Sequence, residues 1–314
     1  MRQNQHNGGW KPDVIERAEN RGDAPVELLA FMTKAFPSLN RTRLKSLLKY
    51  GQVRVTGYPS PRHDTPVEPG AVVEINHTRP FATFKHPRMK LVYEDDDVIV
   101  INKGYGLLSM GTDTGRQSET AYSILRDYVK KQHPGNKVFI VHRLDRDTSG
   151  LMMFARTEEA KEAMQHNWNN MVLERNYLAV LEGVVEEDSG VIRSNLDENS
   201  RFEVYTTHQK GKGKLAVTRY KVLERGSGYS LVQFSLDTGR KNQIRVHASD
   251  LGHPIVGDRK YGAQASPIHR LALHARSLKF AHPVTRKLME FSLPVPTRFA
   301  GLIKSGVLKK SADK

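Results

Sequence analysis

Residues 141–150 carry the sequence Val141-His142-Arg143-Leu144-Asp145-Arg146-Asp147-Thr148-Ser149-Gly150. The apolar run 138–141 leads into this stretch and predicts a buried strand. Its last three residues, Thr-Ser-Gly, predict a turn. The sequence therefore predicts a single carboxylate, Asp145, at the end of a strand. Loops on a rigid sheet often carry chemistry, so this position is a candidate for a functional group.

Asp145 on its own has two simpler interpretations. An Asp before Thr-Ser-Gly commonly hydrogen-bonds its own backbone in a turn. Asp145 and Asp147 would face the same side of a strand, which is compatible with a divalent metal ion. We expect no metal site, because the 13 histidines include no His-x-x-x-His pair and the chain contains no cysteine.

Composition favours a polyanionic partner. The 314 residues include 49 Lys and Arg against 34 Asp and Glu, which gives a net charge of +15 and a pI near 9.8. Nucleic acid and an anionic membrane surface both fit this excess. No window has the length of apolar sequence that spans a membrane, and residues 1–12 are too polar for a signal peptide. Without cysteine, disulfides, thiolate zinc sites and a Cys nucleophile are excluded. We therefore expect a cytoplasmic, nucleic-acid-binding protein.

The N-terminal quarter predicts a small basic module. Residues 1–25 lack periodicity and predict a mobile tail. Two amphipathic helices are predicted from residue 26 to residue 50, followed by strands at 52–57 and 71–75. Arg41, Lys45 and Lys49 recur every four residues and form one stripe on the second helix. Phosphates are natural partners of such a stripe, and a solvated basic face is the simpler alternative.

Several motifs together resemble those of the RluA-type RNA pseudouridine synthases. The string His142-Arg143-Leu144-Asp145-x-x-Thr148-Ser149-Gly150 resembles the signature of that family, and further matches follow across about residues 90–296. Two positions depart from the family pattern, with Gly104 in place of the usual Pro and Asn242 in place of the common His. The other matching strings are Asn102-Lys103-x-x-Gly106-Leu107, Tyr177-x-Ala179-x-x-x-Gly183, Thr238-Gly239-Arg240-x-x-Gln243-Ile244-Arg245-x-His247, Gly252-x-Pro254-Ile255-x-Gly257-Asp258-x-x-Tyr261-Gly262 and Leu273-His274-Ala275-x-x-Leu278-x-Phe280-x-His282-Pro283.

The resemblance implies an α+β fold with two domains. The catalytic domain, residues 89–300, is expected to contain a mixed, largely antiparallel sheet with flanking helices and a central cleft. Residues 26–82 resemble an S4-type α/β RNA-binding domain. Residues 301–314 are rich in Lys and predict a basic C-terminal tail.

The resemblance also implies an enzyme that isomerises uridine to pseudouridine in RNA. That reaction breaks the N1 glycosidic bond, turns the base over and rejoins it through C5. By resemblance, Asp145 is the nucleophile, Arg245 pairs with it and lowers its pKa, and Tyr177 stacks under the uracil and accepts a proton. Lys103 is expected to be structural rather than catalytic. Arg143 fills the space that the flipped base leaves, and His142, Arg41, Lys45 and Lys49 are further candidate RNA contacts.

The expected partner is RNA, and no cofactor, metal or membrane partner is implied. S4-bearing members of the family often act on large-subunit ribosomal RNA, so that RNA is the first expectation. A tRNA-directed synthase and a non-catalytic RNA-binding or ribosome-assembly factor are the alternatives. We expect the chain to act as a monomer.

Overall fold

The computed structural model describes residues 13–111, 119–209 and 211–305. No helix within these ranges combines the length and the apolar character needed to cross a bilayer. A 3₁₀ turn covers Arg259–Tyr261. The helices are α1 (Leu28–Ala35), α2 (Arg41–Lys49), α3 (Ala121–Gln132), α4 (Glu158–His166), α5 (Trp168–Met171), α6 (Gln243–Asp250) and α7 (Thr297–Ser305). The strands are β1 (Ile15–Glu19), β2 (Val26–Glu27), β3 (Val53–Val55), β4 (Pro66–Val67), β5 (Val72–Asn76), β6 (Met89–Glu94), β7 (Val98–Lys103), β8 (Phe139–Ile140), β9 (Ser149–Ala155), β10 (Val172–Glu182), β11 (Ser189–Glu198), β12 (Val204–Thr207), β13 (Lys214–Gly226), β14 (Tyr229–Leu236), β15 (Leu273–Ala281) and β16 (Leu288–Ser292).

The small N-terminal domain is a three-stranded sheet, in the order β1-β5-β3, with α1 and α2 packed on it. Asn40 begins α2, and its side-chain oxygen accepts a hydrogen bond from the Arg43 N–H at 2.8 Å. This cap satisfies one of the free donors at the helix start. The apolar faces of the two predicted helices meet the strands in one core, whose buried members are Leu28, Leu29, Met32, Phe36, Leu44, Leu47, Val53, Val55, Val67, Ala71, Val73 and Ile75.

The predicted tail over residues 1–25 is wrong for the part that the structure describes. Strand β1 pairs antiparallel with β5 along its whole length. Arg17 of β1 forms an ion pair of 2.7 Å with the buried Glu74 of β5, and Glu74 also accepts a hydrogen bond of 2.6 Å from Arg54. The first strand was missed because three of its five side chains are exposed, which leaves little apolar periodicity. Residues 1–12 lie outside the described ranges.

The predicted C-terminal tail, residues 301–314, is likewise too long. Helix α7 extends to Ser305, and Phe299, Leu302 and Ile303 are buried in the core of the large domain. Burial of these three apolar side chains integrates the helix into the domain. Residues 306–314 lie outside the described ranges.

The large domain is built on one eleven-stranded sheet, and its mixed, largely antiparallel character confirms the predicted α+β class. The strand order is β12-β11-β13-β14-β10-β15-β9-β7-β6, with β16 paired to β15 and β8 paired to β9. The β9–β15 pair is parallel, whereas the other named strand pairs in this sheet are antiparallel. This pair joins two halves of the sheet. One hydrophobic core lies mainly in each half, and a further core crosses the junction, with Met153 of β9 and Phe280 of β15 among its members.

The apolar run before Asp145 forms less of a strand than predicted. Only Phe139–Ile140 pairs with β9, and both residues are half-buried. The chain then runs irregularly through residues 141–148, where the Thr148 N–H donates to the Asp145 carbonyl at 3.2 Å. Ser149 and Gly150 belong to strand β9 and not to a turn. Asp145 therefore lies in a loop that enters a central strand, rather than at the end of one.

Candidate active site

The Thr-Ser-Gly part of the signature is explained by the junction between β9 and β15. Ser149 and Gly150 pair with His274 and Ala275 of β15. Gly150 has φ +114°, and a Cβ added there would lie 2.1 Å from the Ala275 carbonyl oxygen. Only glycine allows this close approach. The Ser149 hydroxyl oxygen accepts a hydrogen bond from Arg270 Nη2 at 2.7 Å and lies 2.8 Å from His274 Nδ1.

A buried lysine holds the Asp145 loop on one side. Lys103 is fully buried at the end of β7, and its ammonium group donates to the carbonyl oxygens of Gly104, Leu107 and Arg146 at 3.0, 2.8 and 3.1 Å. Burial lowers the pKa of Lys103 to about 7, and the three carbonyls can accept all three ammonium protons. These contacts give Lys103 a structural role, in agreement with the expectation from the sequence.

The Gly104 departure from the family pattern also has a local explanation. The Gly104 N–H donates to the Arg88 carbonyl oxygen at 2.7 Å, and an added Cβ would lie 2.7 Å from that same oxygen. Proline has no N–H to donate. Where the family usually has proline, this chain therefore has a glycine whose backbone bonds to Arg88, the residue before β6.

A buried serine holds the same loop on the other side. The Ser109 hydroxyl donates to the Leu144 carbonyl at 2.6 Å and accepts from the Leu144 N–H at 3.1 Å. Ser109 is 3% exposed. With Leu144 and Arg146 both anchored through their backbones, Asp145 between them has a fixed position. No local pattern in the sequence marks Ser109, because its partner lies 35 residues away.

Arg245 of α6 faces Asp145, the residue with which the resemblance pairs it. Arg245 Nη1 lies 3.8 Å from Asp145 Oδ2. Its stronger partner is Asp258, whose two oxygens accept from Nε at 2.6 Å and from Nη2 at 2.7 Å. The Asp258 side chain is only 1% exposed. This bidentate pair fixes the plane of the guanidinium group and leaves Nη1 directed at Asp145.

Asn242 contributes to the same arrangement. Its backbone is left-handed, with φ +54°, a conformation that asparagine tolerates better than most residues. The Asn242 side-chain oxygen accepts from Arg245 Nη1 at 3.1 Å, and its amide nitrogen donates to the Tyr261 hydroxyl at 2.9 Å. The Asn that replaces the family's common His therefore orients the arginine. No role for Asp258 or Tyr261 was predicted from the sequence.

The pKa of Asp145 differs from the expectation that Arg245 lowers it. Burial raises the pKa of the Asp145 carboxyl above its ordinary value, although the positive charges of Arg245 and Arg143 oppose that effect. The charges of Lys103 and Lys241 act in the same direction as the two arginines. The resemblance implied a carboxyl whose pKa the arginine lowers, but desolvation is the larger effect here.

Tyr177 of β10 lies close to the junction of the two halves of the sheet. In β10 it pairs with Ala275 of β15 and with Phe234 of β14, and its ring packs against the cores of both halves. Burial raises the pKa of the Tyr177 hydroxyl, the charge of Arg175 opposes this, and the negative charge of Asp145 adds to it. The hydroxyl is therefore protonated at neutral pH, and the carboxylate lies close enough to influence it.

His142 and Arg143 have different surroundings, although the sequence predicted both as RNA contacts. His142 Nε2 accepts from the Met153 N–H at 2.9 Å, and its ring centroid lies 5.2 Å from that of Trp168. Burial lowers the pKa of His142 to about 3, so the ring is neutral. These contacts favour a structural role for His142 over the predicted contact with RNA. Arg143 is exposed beside Asp145.

The basic stripe of α2 is accessible. Arg41, Lys45 and Lys49 are exposed, whereas Leu44 and Leu47 on the opposite face are buried. The helix thus separates a cationic outer face from an apolar inner face, as the spacing predicted.

One cluster has the composition of a metal site. Single ligand atoms of Asp95, Asp97 and His282 lie within 4.8 Å of one another. However, Asp95 already accepts hydrogen bonds from the Tyr93 hydroxyl at 2.7 Å and from the backbone N–H of Val98 at 2.7 Å, and its other contacts include His282 at 3.0 Å. The cluster is therefore explained by hydrogen bonds that order the turn between β6 and β7 and connect it to His282, which follows β15.

Comparisons with known proteins identify the family. A family model described as RNA pseudouridylate synthase matches residues 97–250. The chain is 34% identical to the RNA pseudouridine synthase YlyB of Bacillus subtilis, over 88% of this chain and 92% of that protein. It is 32% identical to the ribosomal large subunit pseudouridine synthase D of Pasteurella multocida, over 87% and 89% of the two chains. Among solved structures, human RNA pseudouridylate synthase domain containing 4 is similar, with a TM-score of 0.55, 26% identity and coverage of 67% of this chain and 90% of that one.

The Ser109 clamp gives a stability prediction. We expect Ser109→Ala to lower the free energy of unfolding by about 1–3 kcal/mol, because the Leu144 N–H loses its partner within a buried loop. Amide hydrogen exchange of residues 142–148 should accelerate selectively. Ser189→Ala, at an exposed serine in β11, is the control and should change neither quantity. Unchanged exchange of the loop in Ser109→Ala would contradict the clamp.

Proposed function

Because the chain belongs to the RNA pseudouridine synthase family, we propose that it isomerises specific uridines of large-subunit ribosomal RNA to pseudouridine. The chain is an RNA pseudouridine synthase, and its relatives include proteins named ribosomal large subunit pseudouridine synthase D. These names and the basic composition support ribosomal RNA as the substrate. The RNA is bound by a cytoplasmic monomer in this proposal.

In the proposed reaction, Asp145 is the nucleophile. A carboxylate that forms a covalent intermediate splits one difficult step into two. The observation that carries this assignment is the fixed placement of Asp145: its neighbours in the loop are held through their backbones, and Arg245 Nη1 lies 3.8 Å from its Oδ2. Since Asp258 takes the bidentate contact with Arg245, Asp145 is held near a cation without being committed to a tight ion pair.

Tyr177 is proposed as the surface on which the uracil stacks and as the group that accepts the C5 proton. Its hydroxyl has a raised pKa, in part because of the charge of Asp145. Tyr177 can accept the C5 proton only as the phenolate, so its own proton must first pass to solvent. Formation of the covalent bond removes the negative charge of Asp145 and thereby lowers the pKa of Tyr177, which favours that release. Arg143, exposed beside the nucleophile, is proposed to occupy the space left by the flipped base. Extruding a base costs a few kcal/mol, which such a contact can offset.

The nucleophile assignment predicts the behaviour of Asp145→Asn. We expect turnover to fall by at least about 10³-fold, because the amide cannot replace the carboxylate as a nucleophile. RNA binding should remain nearly unchanged. Tritium release from 5-tritiated uridine, in large-subunit rRNA and in tRNA transcripts, measures the reaction and distinguishes the two substrate classes.

Asp147→Asn is the matched control, because this half-exposed carboxylate lies two residues further along the same loop. It should retain activity within a few fold. Substantial tritium release by Asp145→Asn would refute the nucleophile assignment. Release from tRNA alone would favour the tRNA-directed alternative, and release from neither RNA by the wild type would favour a non-catalytic RNA-binding factor.

The raised pKa of Asp145 predicts the acid side of the pH profile. The reaction needs the ionised carboxylate, so kcat/KM should fall on acidification with a midpoint above the ordinary Asp value of 3.8. Arg143→Ala removes a positive charge that opposes the effect of burial, and should move this midpoint to higher pH. Arg146→Ala, at an exposed neighbouring arginine, should not move it. A midpoint that shifts downward in Arg143→Ala would contradict the electrostatic assignment.

The exposed stripe on α2 predicts a change in salt dependence. Replacing Arg41, Lys45 and Lys49 together by Gln should weaken RNA binding and reduce the slope of log K against log salt by about 2, because each phosphate contact contributes about 0.7–0.9. The control makes an equal charge change at three other exposed lysines, Lys130, Lys131 and Lys287. Equal slopes for the two variants would argue against phosphate contacts by α2.

A further inference from the structure

Phe202, at the tip of the β11–β12 hairpin, is an exposed aromatic residue with a left-handed backbone. Phe202 is 71% exposed, more than the other large apolar side chains in the described parts of the chain. Its backbone is left-handed, with φ +60°. A bulky residue in that region is strained, and such strain is typically found at functional sites. Neither the exposure nor the backbone angle stabilises the folded chain, so folding alone does not explain this residue.

The turn that carries Phe202 is well ordered by its own hydrogen bonds. The Asn199 side-chain oxygen accepts from the N–H groups of Arg201 at 3.0 Å and Glu203 at 2.9 Å. The Phe202 N–H donates to the Asn199 carbonyl at 2.9 Å. The ring is therefore displayed by a turn with few alternative conformations, which lowers the entropic cost of binding a partner.

The hairpin is fastened to the helix that carries Arg245. Ser194 of β11 lies with its hydroxyl 3.0 Å from His247 Nε2 of α6. Thr206 of β12 donates a hydrogen bond to Asp250, at the end of the same helix. Since Arg245 of this helix faces Asp145, the hairpin and the site of Asp145 share one rigid support.

Two lysines contact Phe202. Lys241 Nζ lies 5.6 Å from the centroid of the Phe202 ring and pairs with Glu198, and Lys260 Nζ donates to the Phe202 carbonyl at 3.3 Å. The charge of Lys241 also reaches Asp145, where it acts to lower the carboxyl pKa. The structure thus holds an aromatic ring beside two cations, and α6 connects it to Arg245 and so to Asp145. An aromatic ring beside cations has the chemistry that binds a nucleobase and its phosphate.

We propose that Phe202 stacks on an unpaired nucleobase of the RNA strand near the target uridine, while Lys241 and Lys260 contact the adjoining phosphate. This inference rests on the proposed function, because it places the RNA strand along the rim of the Asp145 site. A protein partner would need a larger apolar surface. The ring is flanked by the lysines Lys241 and Lys260, of which Lys241 pairs with Glu198, and this favours a phosphate-bearing partner.

The test uses full-length protein and an oligouridine that contains a single 2-aminopurine, whose fluorescence is quenched by stacking. All proteins carry Asp145→Asn to prevent turnover, and the comparison is between this background and the same protein with Phe202→Leu. Leucine keeps an apolar side chain but removes the aromatic face. We expect Phe202→Leu to reduce the quenching and to weaken binding about tenfold, whereas Phe202→Trp should retain both. Val191→Ala, at another exposed apolar residue on β11, is the control and should change neither.

A second variant separates binding from folding. Phe202→Gly relieves the left-handed backbone, so its thermal unfolding temperature should equal or exceed that of the parent protein while its RNA binding is weakened. Quenching and affinity that are unchanged by Phe202→Leu would overturn the proposal. So would a defect of Phe202→Leu on assembled ribosomal particles but not on naked RNA, which would indicate a protein contact.

The fluorescence measurement needs no turnover, so its outcome is separate from that of the proposed function. If wild-type protein releases no tritium but the Phe202-dependent quenching is present, the reaction is refuted and the stacking site stands. If tritium is released normally and quenching does not depend on Phe202, the stacking site is refuted and the reaction stands.

Discussion

The parallel contact between β9 and β15 is the constraint on which the rest of the structure depends. It is only two residue pairs long, yet it joins the two halves of the sheet. Gly150 makes the contact possible, because a Cβ would meet the Ala275 carbonyl at 2.1 Å. The Asp145 loop enters β9 at this junction, and Tyr177 pairs with Ala275 from the next strand, β10. The geometry of the site therefore follows from a packing requirement at the centre of the sheet.

The second organising feature is the unequal sharing of Arg245 between two carboxylates. Asp258 is almost fully buried and takes both short contacts, whereas Asp145 is 26% exposed and lies 3.8 Å away. A tight pair with Asp145 would favour ionisation, but it would also occupy the oxygens that the chemistry needs. The observed arrangement leaves Asp145 accessible, and desolvation then raises its pKa against the surrounding positive charge. In its proposed role as nucleophile, Asp145 needs accessible oxygens, and the bidentate contact between Asp258 and Arg245 leaves them so.

Local patterns predicted what depends on neighbours in the sequence, and missed what depends on distant contacts. The α2 stripe follows from a four-residue spacing, and Asp145, Tyr177 and Arg245 follow from motif strings. Ser109 gives no such signal, because its partner is a backbone group 35 residues away. Strand β1 was missed because its pairing with β5 depends on backbone hydrogen bonds and the ion pair to Glu74 more than on apolar side chains. The contacts of His142 with Met153 and Trp168 could not be predicted either, because a motif identifies a residue but not the direction of its side chain.

The contact between the two domains has a consequence for RNA binding. The Gly57 N–H of the small domain donates to the Glu94 carbonyl of β6 at 2.9 Å. A Cβ at Gly57 would lie 2.7 Å from the Tyr93 ring, so the small domain approaches the large sheet as closely as its backbone allows. These contacts restrict the position of α2 relative to the catalytic sheet. In the proposed binding mode, RNA contacts both α2 and the site of Asp145. The second contact then forms as an intramolecular event, and the gain in affinity depends on how well the RNA shape matches that spacing.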